Sequence, residues 1–154
     1  MIVHRVIKAR YAHAPLSAEG ARQVGGRWNS PGVAALYCAD SLALAALEVF
    51  VHLQPNARHV RHVAIRLRVP DRFGIREWAP HDLPAGWKTL QGDPECHAQG
   101  DRWLRSAREL ALLVPSVVVP SERDVILNPS HPGWKRVRVE AIEAFTFDAR
   151  LWKA

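Results

Sequence analysis

The stretch Gly25–Leu53, GGRWNSPGVAALYCADSLALAALEVFVHL, decides how the rest of the chain must be arranged. Two consecutive glycines permit a sharp bend ahead of Arg27. Asn29-Ser30-Pro31-Gly32 is a second turn signal, so Arg27 and Trp28 form a short extended piece between two bends. Val33–Cys38 is a brief apolar run containing Tyr37 and reads as a strand. Ala39-Asp40-Ser41 then supplies cap residues for a helix over Leu42–Leu53. Leu42, Ala45, Ala46, Val49, Phe50 and Leu53 share one side of that helix, and Glu48 is expected on the other, with Leu44 before it and Val51 after. Both sides are otherwise apolar, which makes the helix central and Glu48 a lone carboxylate on it. A charge buried without a partner is costly, so Glu48 asks for a reason. His52, one turn further on, offers a simple exposed ion pair as the plainest one.

Upstream, Ile2–Ala9 mixes apolar and basic residues on both sides and reads as a first strand. By pattern alone its Arg5 is an edge-strand arginine in water. Ser17–Gln23 forms a turn or short helix that stops at Gly25-Gly26. Downstream, Pro55 ends the central helix and His59–Val69 is the cleanest strand. It turns Val63, Ile65, Leu67 and Val69 inward and His62, Arg66 and Arg68 onto a solvated face. Pro70–Gly100, rich in Pro, Gly, Asp and Trp, has no clear period and reads as a long connection with short helical turns, a candidate flap. A helix follows over Asp101–Glu109, with Trp103, Leu104 and Ala107 on its buried side. Leu110–Val119 is a buried strand broken at Pro115-Ser116, and Asp124–Leu127 is another. Asn128-Pro129-Ser130-His131-Pro132 makes a rigid turn. Arg136–Phe147 supplies one or two closing strands with a bulge near Ala141. The fold class is α+β: one domain over residues 1–154, with a mixed or antiparallel sheet and flanking helices.

A chain of 154 residues is long enough for one domain with a substantial core. At 48% apolar with six tryptophans, it belongs with globular rather than disordered chains. The balance of 21 Lys+Arg against 15 Asp+Glu gives +6, which favours an anionic ligand or partner. No basic run interleaved with stacking aromatics points to nucleic acid, and a phosphate-bearing small molecule accounts for the charge with fewer residues. The two cysteines, Cys38 and Cys96, have no zinc-ligand spacing, and a disulfide between them stays open. His59 and His62, three apart on a strand, fall on opposite faces, so no metal site is expected. No signal-like or membrane-spanning apolar run is present, so the protein is expected in the cytoplasm, away from membranes.

There is no GxSxG, HExxH, GxGxxG or P-loop. What remains is Arg27, Tyr37 and Glu48 in one supersecondary unit, with Ser116 and the Asn128 turn as candidate neighbours. Ser116 is a hydroxyl in the most apolar strand, where its simplest role is a bond to backbone.

At these residues the sequence resembles the RES domain, a family named for an arginine, a glutamate and a serine. The likeness is carried by GGRWN with the downstream LEV helix, by VPSVVVP and by LNPSHP, and it runs from the Arg5 strand to the NPSHP turn. The resemblance implies a fold similar to that of ADP-ribosyltransferases and the toxin of a bacterial toxin–antitoxin pair. It further implies NAD as substrate, with no separate cofactor, and cleavage of the nicotinamide–ribose bond by hydrolysis or phosphorolysis. Transfer of ADP-ribose to a protein is the alternative. The implied partner is an Xre-like antitoxin whose carboxy-terminal part covers the pocket, with the complex reaching DNA through the antitoxin; a homodimer is also admitted.

Carried over residue by residue, Glu48, Arg27, Tyr37 and Ser116 are the catalytic set, and Arg5, Arg27, Tyr37 and Asn29 bind NAD. Ser116 is preferred to Ser130 because the middle position of NPxHP is one that the family motif leaves open. These roles make chemical sense. A carboxylate near the ribose stabilises an oxocarbenium-like state, and nicotinamide leaves as a neutral group that needs no general acid. Arg27 and Arg5 would meet the pyrophosphate, Tyr37 would stack on nicotinamide or position the ribose, and Ser116 would bond the nicotinamide amide or Glu48. Two other classes compete: a nucleic-acid-binding or RNA-cleaving toxin, which would depend little on Glu48 and strongly on salt, and a binding module without activity, against which the complete motif set argues.

Overall fold

Apolar side chains alternate along His62–Arg68, and the strand they specify sits near one side of a seven-stranded sheet. The computed structural model describes residues 1–89 and 93–152. Its strands are β1 (Ile2–Lys8), β2 (Leu36–Ala39), β3 (His62–Arg68), β4 (Ile75–Glu77), β5 (Ala111–Pro115), β6 (Arg123–Leu127) and β7 (Arg138–Phe145). They lie in the order β4-β5-β6-β2-β1-β3-β7. All neighbours are antiparallel except β4 and β5, which are parallel. The α-helices are α1 (Glu19–Val24), α2 (Leu42–Phe50) and α3 (Pro94–Ser106), so the architecture is the mixed-sheet α+β fold the sequence implies. Among the described residues, no helix is long and apolar enough to cross a membrane.

The two faces of the sheet bury different cores. Val3, Cys38, Ile65, Leu67, Val125 and Leu127 pack together on one. On the other, Trp28, Trp78, Trp87 and Trp103 gather over Leu112, Val114 and Ile126, while Leu44 and Ala45 of α2 pack on Val6, Ala39 and Phe147. Local sequence explains the helix starts. Ser41 caps α2 by accepting from Leu44 N–H at 3.0 Å, and Asp93 caps α3 by accepting from Glu95 N–H at 2.9 Å, with Pro94 in the first helical position.

Several expectations change. β1 lies between β2 and β3, so Arg5 is not an edge residue in water but is partly buried, with its Nε enclosed and unpartnered among the described residues. His62 is only 4% exposed because the chain after β7 folds back and sets the Phe147 ring 5.3 Å away. The connection expected over Pro70–Gly100 contains β4 and the first half of α3, and buried Trp78 and Trp87 pin its described part to the core, so that part is no free flap. Residues 90–92 of that connection lie outside the described residues. Cys38 and Cys96 are both buried and free; they belong to separate core clusters, which rules out the disulfide. The expected bulge appears where the β3–β7 register shifts, Arg66 pairing with Ala141 and Leu67 with Val139.

Gly100 is where α3 meets the segment leading into β2. A Cβ there would lie 1.9 Å from the Trp28 carbonyl oxygen, an atom that cannot swing aside. Gly100→Ala is therefore expected to destabilise the protein by about 3 kcal/mol, lowering the melting temperature by roughly 6–12 °C. A thermal melt followed by circular dichroism checks this.

Candidate active site

β1 and β2 pair at a single position, His4 opposite Ala39, whereas β1 pairs with β3 along its whole length. The sheet is thus split beside that one pair, and a cavity of about 910 Å³ occupies the split. It is lined from β1 by His4, Arg5 and Val6, from β2 by Tyr37, Cys38 and Ala39, from α2 by Ala45, Glu48 and Val49, and from the turn after α2 by His52. Strand alternation places Arg5 and Cys38 on one face of the sheet and Tyr37 and Ala39 on the other. The opening therefore reaches both faces. Arg5 extends its Nη1 to the Pro15 carbonyl at 2.9 Å.

The Gly25–Asn29 segment builds the next part of the wall. Gly26 and Asn29 exchange backbone hydrogen bonds of 3.0 and 3.3 Å, which closes a tight hairpin around Arg27 and Trp28. A Cβ on Gly26 would lie 2.7 Å from the Tyr37 hydroxyl, so only glycine allows that approach. The hydroxyl accepts from Trp28 N–H at 2.9 Å and donates to Asn29 Oδ1 at 2.7 Å. Asn29 is fully buried, and its Nδ2 donates to the Ala21 and Val33 carbonyls, each at 2.8 Å. Its side chain is thereby committed to protein groups and stands behind Tyr37 rather than on the cavity wall. Burial pushes the Tyr37 phenol above its ordinary range, keeping it neutral. Trp28 anchors in the tryptophan cluster, while Arg27 reaches the cavity and donates through Nη1 to the carbonyls of Trp87 and Thr89.

Glu48 lies one turn beyond buried Leu44 and lines the cavity, while Ala45, Ala46, Val49, Phe50 and Leu53 pack together in the core as the apolar pattern expects. Leu42, assigned inward by that pattern, is exposed. The Ser116 hydroxyl donates to Glu48 Oε1 at 2.6 Å. Val118 and Val119 N–H both donate to that hydroxyl at 3.0 Å, which fills its lone pairs and leaves its proton one direction to point. Ser116 is fully buried, so it meets Glu48 and backbone and acts through Glu48. The turn at Asn128 stays away from the cavity: Asn128 Nδ2 is bonded to the Leu104 carbonyl at 2.8 Å. No ion pair joins His52 to Glu48 among the described residues, although both line the cavity.

The residue that sequence reasoning missed is Asp124. It sits on β6 opposite Ala39 and lines the cavity together with Glu48. Burial, reinforced by the Glu48 carboxylate, pushes its pKa up to about 8. Its only sequence signal was a polar residue opening an otherwise apolar strand, which is commonplace. Among the described residues, no group of His, Cys, Asp or Glu has a metal-binding arrangement.

The α+β fold that carries this cavity is similar to that of one chain of the crystal structure of the M. tuberculosis MbcT–MbcA toxin–antitoxin complex, with a TM-score of 0.75 at 22% identity over 94% of this chain and 84% of that one. The family model described as the RES domain matches residues 2–148, and the chain belongs to that family of toxins. Among its relatives, the Prs ADP-ribosylating toxin of Sphingobium sp. (strain YBL2) is 36% identical over 143 residues, covering 92% of this chain and 89% of the relative. Toxin Res of Yersinia enterocolitica serotype O:8 / biotype 1B is 34% identical over 153 residues, covering 98% and 99%.

Two expectations follow from these contacts. Tyr37→Phe removes the partner of Trp28 N–H and of Asn29 Oδ1 and is expected to cost about 2 kcal/mol, seen as a lower urea midpoint with an unchanged slope. Asp124 binds its proton more tightly folded than unfolded, where an aspartate titrates near ~3.9. Its contribution to stability is fully present below about pH 4 and lost as pH rises through about 8. The melting temperature of the wild type should accordingly decline across that window more steeply than that of Asp124→Asn.

Proposed function

We propose that the cavity binds NAD and that this toxin is an enzyme that breaks the bond between nicotinamide and ribose. The observation carrying the reading is Glu48, a carboxyl group on an apolar helix whose orientation is set by a serine hydroxyl with no other place to donate. A cavity of about 910 Å³ is at the upper end of the range for small-molecule and cofactor sites. Arg5 and Arg27 offer guanidinium forks suited to a diphosphate, and Tyr37 offers a rigid aromatic edge against which nicotinamide or ribose can be placed.

In this reading the C1′–N bond breaks with its electron pair leaving on neutral nicotinamide. The ribosyl cation that develops is stabilised by Glu48, which the Ser116 hydroxyl holds on the cavity wall. Water captures the cation to give ADP-ribose and a proton; phosphate captures it to give ADP-ribose 1″-phosphate. A protein side chain is the third acceptor, and the 36% identical relative named as an ADP-ribosylating toxin favours keeping transferase activity as the second reading. The toxin–antitoxin complex that shares this fold supports an antitoxin as partner, with covering of the cavity the simplest means of neutralisation.

Nicotinamide release from NAD by the purified protein, with and without phosphate, tests the proposal. Glu48→Ala should fold and lose at least 100-fold in rate, on the order expected for removing a charge that stabilises the transition state. Arg27→Ala should instead raise KM for NAD. Full turnover by Glu48→Ala would overturn the assignment, and label appearing on protein in place of free ADP-ribose would select the transferase reading.

A further inference from the structure

We propose that Arg5 makes the cavity select phosphate-bearing ligands: its guanidinium has no counter-charge in the empty protein, and a phosphate oxyanion entering the cavity supplies one. The inference deepens the NAD-cleaving reading, on which only its kinetic consequence rests; the anion site stands or falls without turnover.

The arginines of this chain divide by what they meet. Arg22, Arg66, Arg68, Arg105, Arg123 and Arg150 each pair with a carboxylate, and each lies largely in water, with side chains 47–85% exposed. Arg5 inverts that pattern. Its strand lies between β2 and β3, where a charge is more costly to hold, yet it takes part in no ion pair among the described residues. Its Nη1 donates to the Pro15 carbonyl at 2.9 Å, and its Nε is sealed from water with no acceptor among the described residues. An enclosed donor left unmade is expensive, and an enclosed charge without a partner more so.

The protein groups nearest to Arg5 do not offset its charge. Cys38, on the same face of neighbouring β2, is a thiol that burial pushes up to about 12, so it is uncharged at neutral pH. From the segment between β1 and α1 come the Pro15 carbonyl and the Ser17 side chain, both neutral. Glu48 and Asp124 line the same cavity, but neither forms an ion pair with Arg5. Burial accordingly works against the charge and holds the Arg5 pKa below its ordinary value. An arginine cannot escape this by giving up its proton at neutral pH, so the counter-charge has to come from outside. The cavity is the way in, since Arg5 lines it, and Ala18, Gly20 and Ala21 line it too with little or no side chain. Arg27 presents a smaller deficit, because its Nη1 already has two carbonyl acceptors. A phosphate group brings more acceptor oxygens to a guanidinium than a carboxylate does, which favours it as the missing anion.

Thermal melts of the full chain at fixed ionic strength test this with inorganic phosphate, pyrophosphate, ADP-ribose and acetate. The wild type should melt about 2 °C or more higher with ADP-ribose and with at least one of the two inorganic anions, as a ligand of the folded state requires, and should not respond to acetate. A response to phosphate marks a site for one oxyanion, and a response to pyrophosphate only marks one for a diphosphate; either supports the proposal. Arg66→Met removes an exposed arginine paired with Glu140 and should keep the rise. Arg5→Met should lose it, and Arg5→Lys, which has a charge without the planar fork, should keep less than half. No rise in the wild type overturns the proposal, as does an equal rise in Arg5→Met or with acetate. If Arg5→Met does not fold, an undiminished rise in Arg5→Lys overturns it. With NAD as substrate, Arg5→Met should raise KM by about tenfold to a hundredfold, the loss of a charge-assisted contact, and leave kcat within about threefold. A fall in kcat at unchanged KM counts against a binding role and overturns the assignment. If the anion shifts appear while the wild type leaves NAD intact, the phosphate site stands and the NAD reading falls. If NAD is cleaved and no anion shifts the melt, the reverse holds.

Discussion

The site depends on a ladder that is not made. A sheet whose β1 and β2 paired along their length would close over the space that Arg5, Tyr37 and Glu48 share. Here the two strands meet at His4 and Ala39 and then part, so that polar side chains from both faces reach one cavity. Backbone groups along the parting lose strand partners, and that cost has to be offset by firm packing elsewhere. β1 recovers its pairing on β3, β2 recovers its own on β6, and each half of the sheet is continuous on its far side.

What holds the rim in place is a second set of constraints, mostly aromatic. Trp28 meets Trp78 edge to face with ring centroids 5.6 Å apart, tying the hairpin that carries Arg27 to the connection after β4. The same connection presents the carbonyls of Trp87 and Thr89 to the Arg27 guanidinium. An arginine in this position is held ready on the wall by uncharged acceptors, so its charge stays available to an anion. Tyr37 is fixed from behind by Asn29 and Trp28, which makes the phenol a rigid surface and not a titrating group. The motif GGRWN thus has a division of labour: Arg27 brings its charge to the cavity, Gly25, Gly26 and Trp28 line it beside Arg27, and Asn29 stands behind and fixes Tyr37.

Local patterns made much of this legible. The helix over α2, its Ser41 cap, the alternation of β3, the buried strands on either side of Ser116 and the bulge in the last strand all follow from residue periods and turn chemistry. Arg27, Tyr37 and Glu48 stood out because they fall within one supersecondary unit, and the family resemblance drew Arg5 and Ser116 to them; the structure brings all five together. Asn29 stood out with them but serves behind the wall. His62 was misplaced because an alternating strand shows which residues share a face and says nothing of what later chain covers that face.

Residue order was enough for the α+β class, the family and the identity of the lone helix carboxylate, since periodicity, capping and motif order are properties of neighbours along the chain. It took the folded chain to make β1 central, to break its ladder with β2, and to bring Asp124 to the same cavity wall as Glu48. One cause underlies all three. Strand order and the shared cavity wall join residues far apart in sequence, whose encounter depends on which hydrophobic faces the folded chain can bury at once. No local pattern encodes that choice.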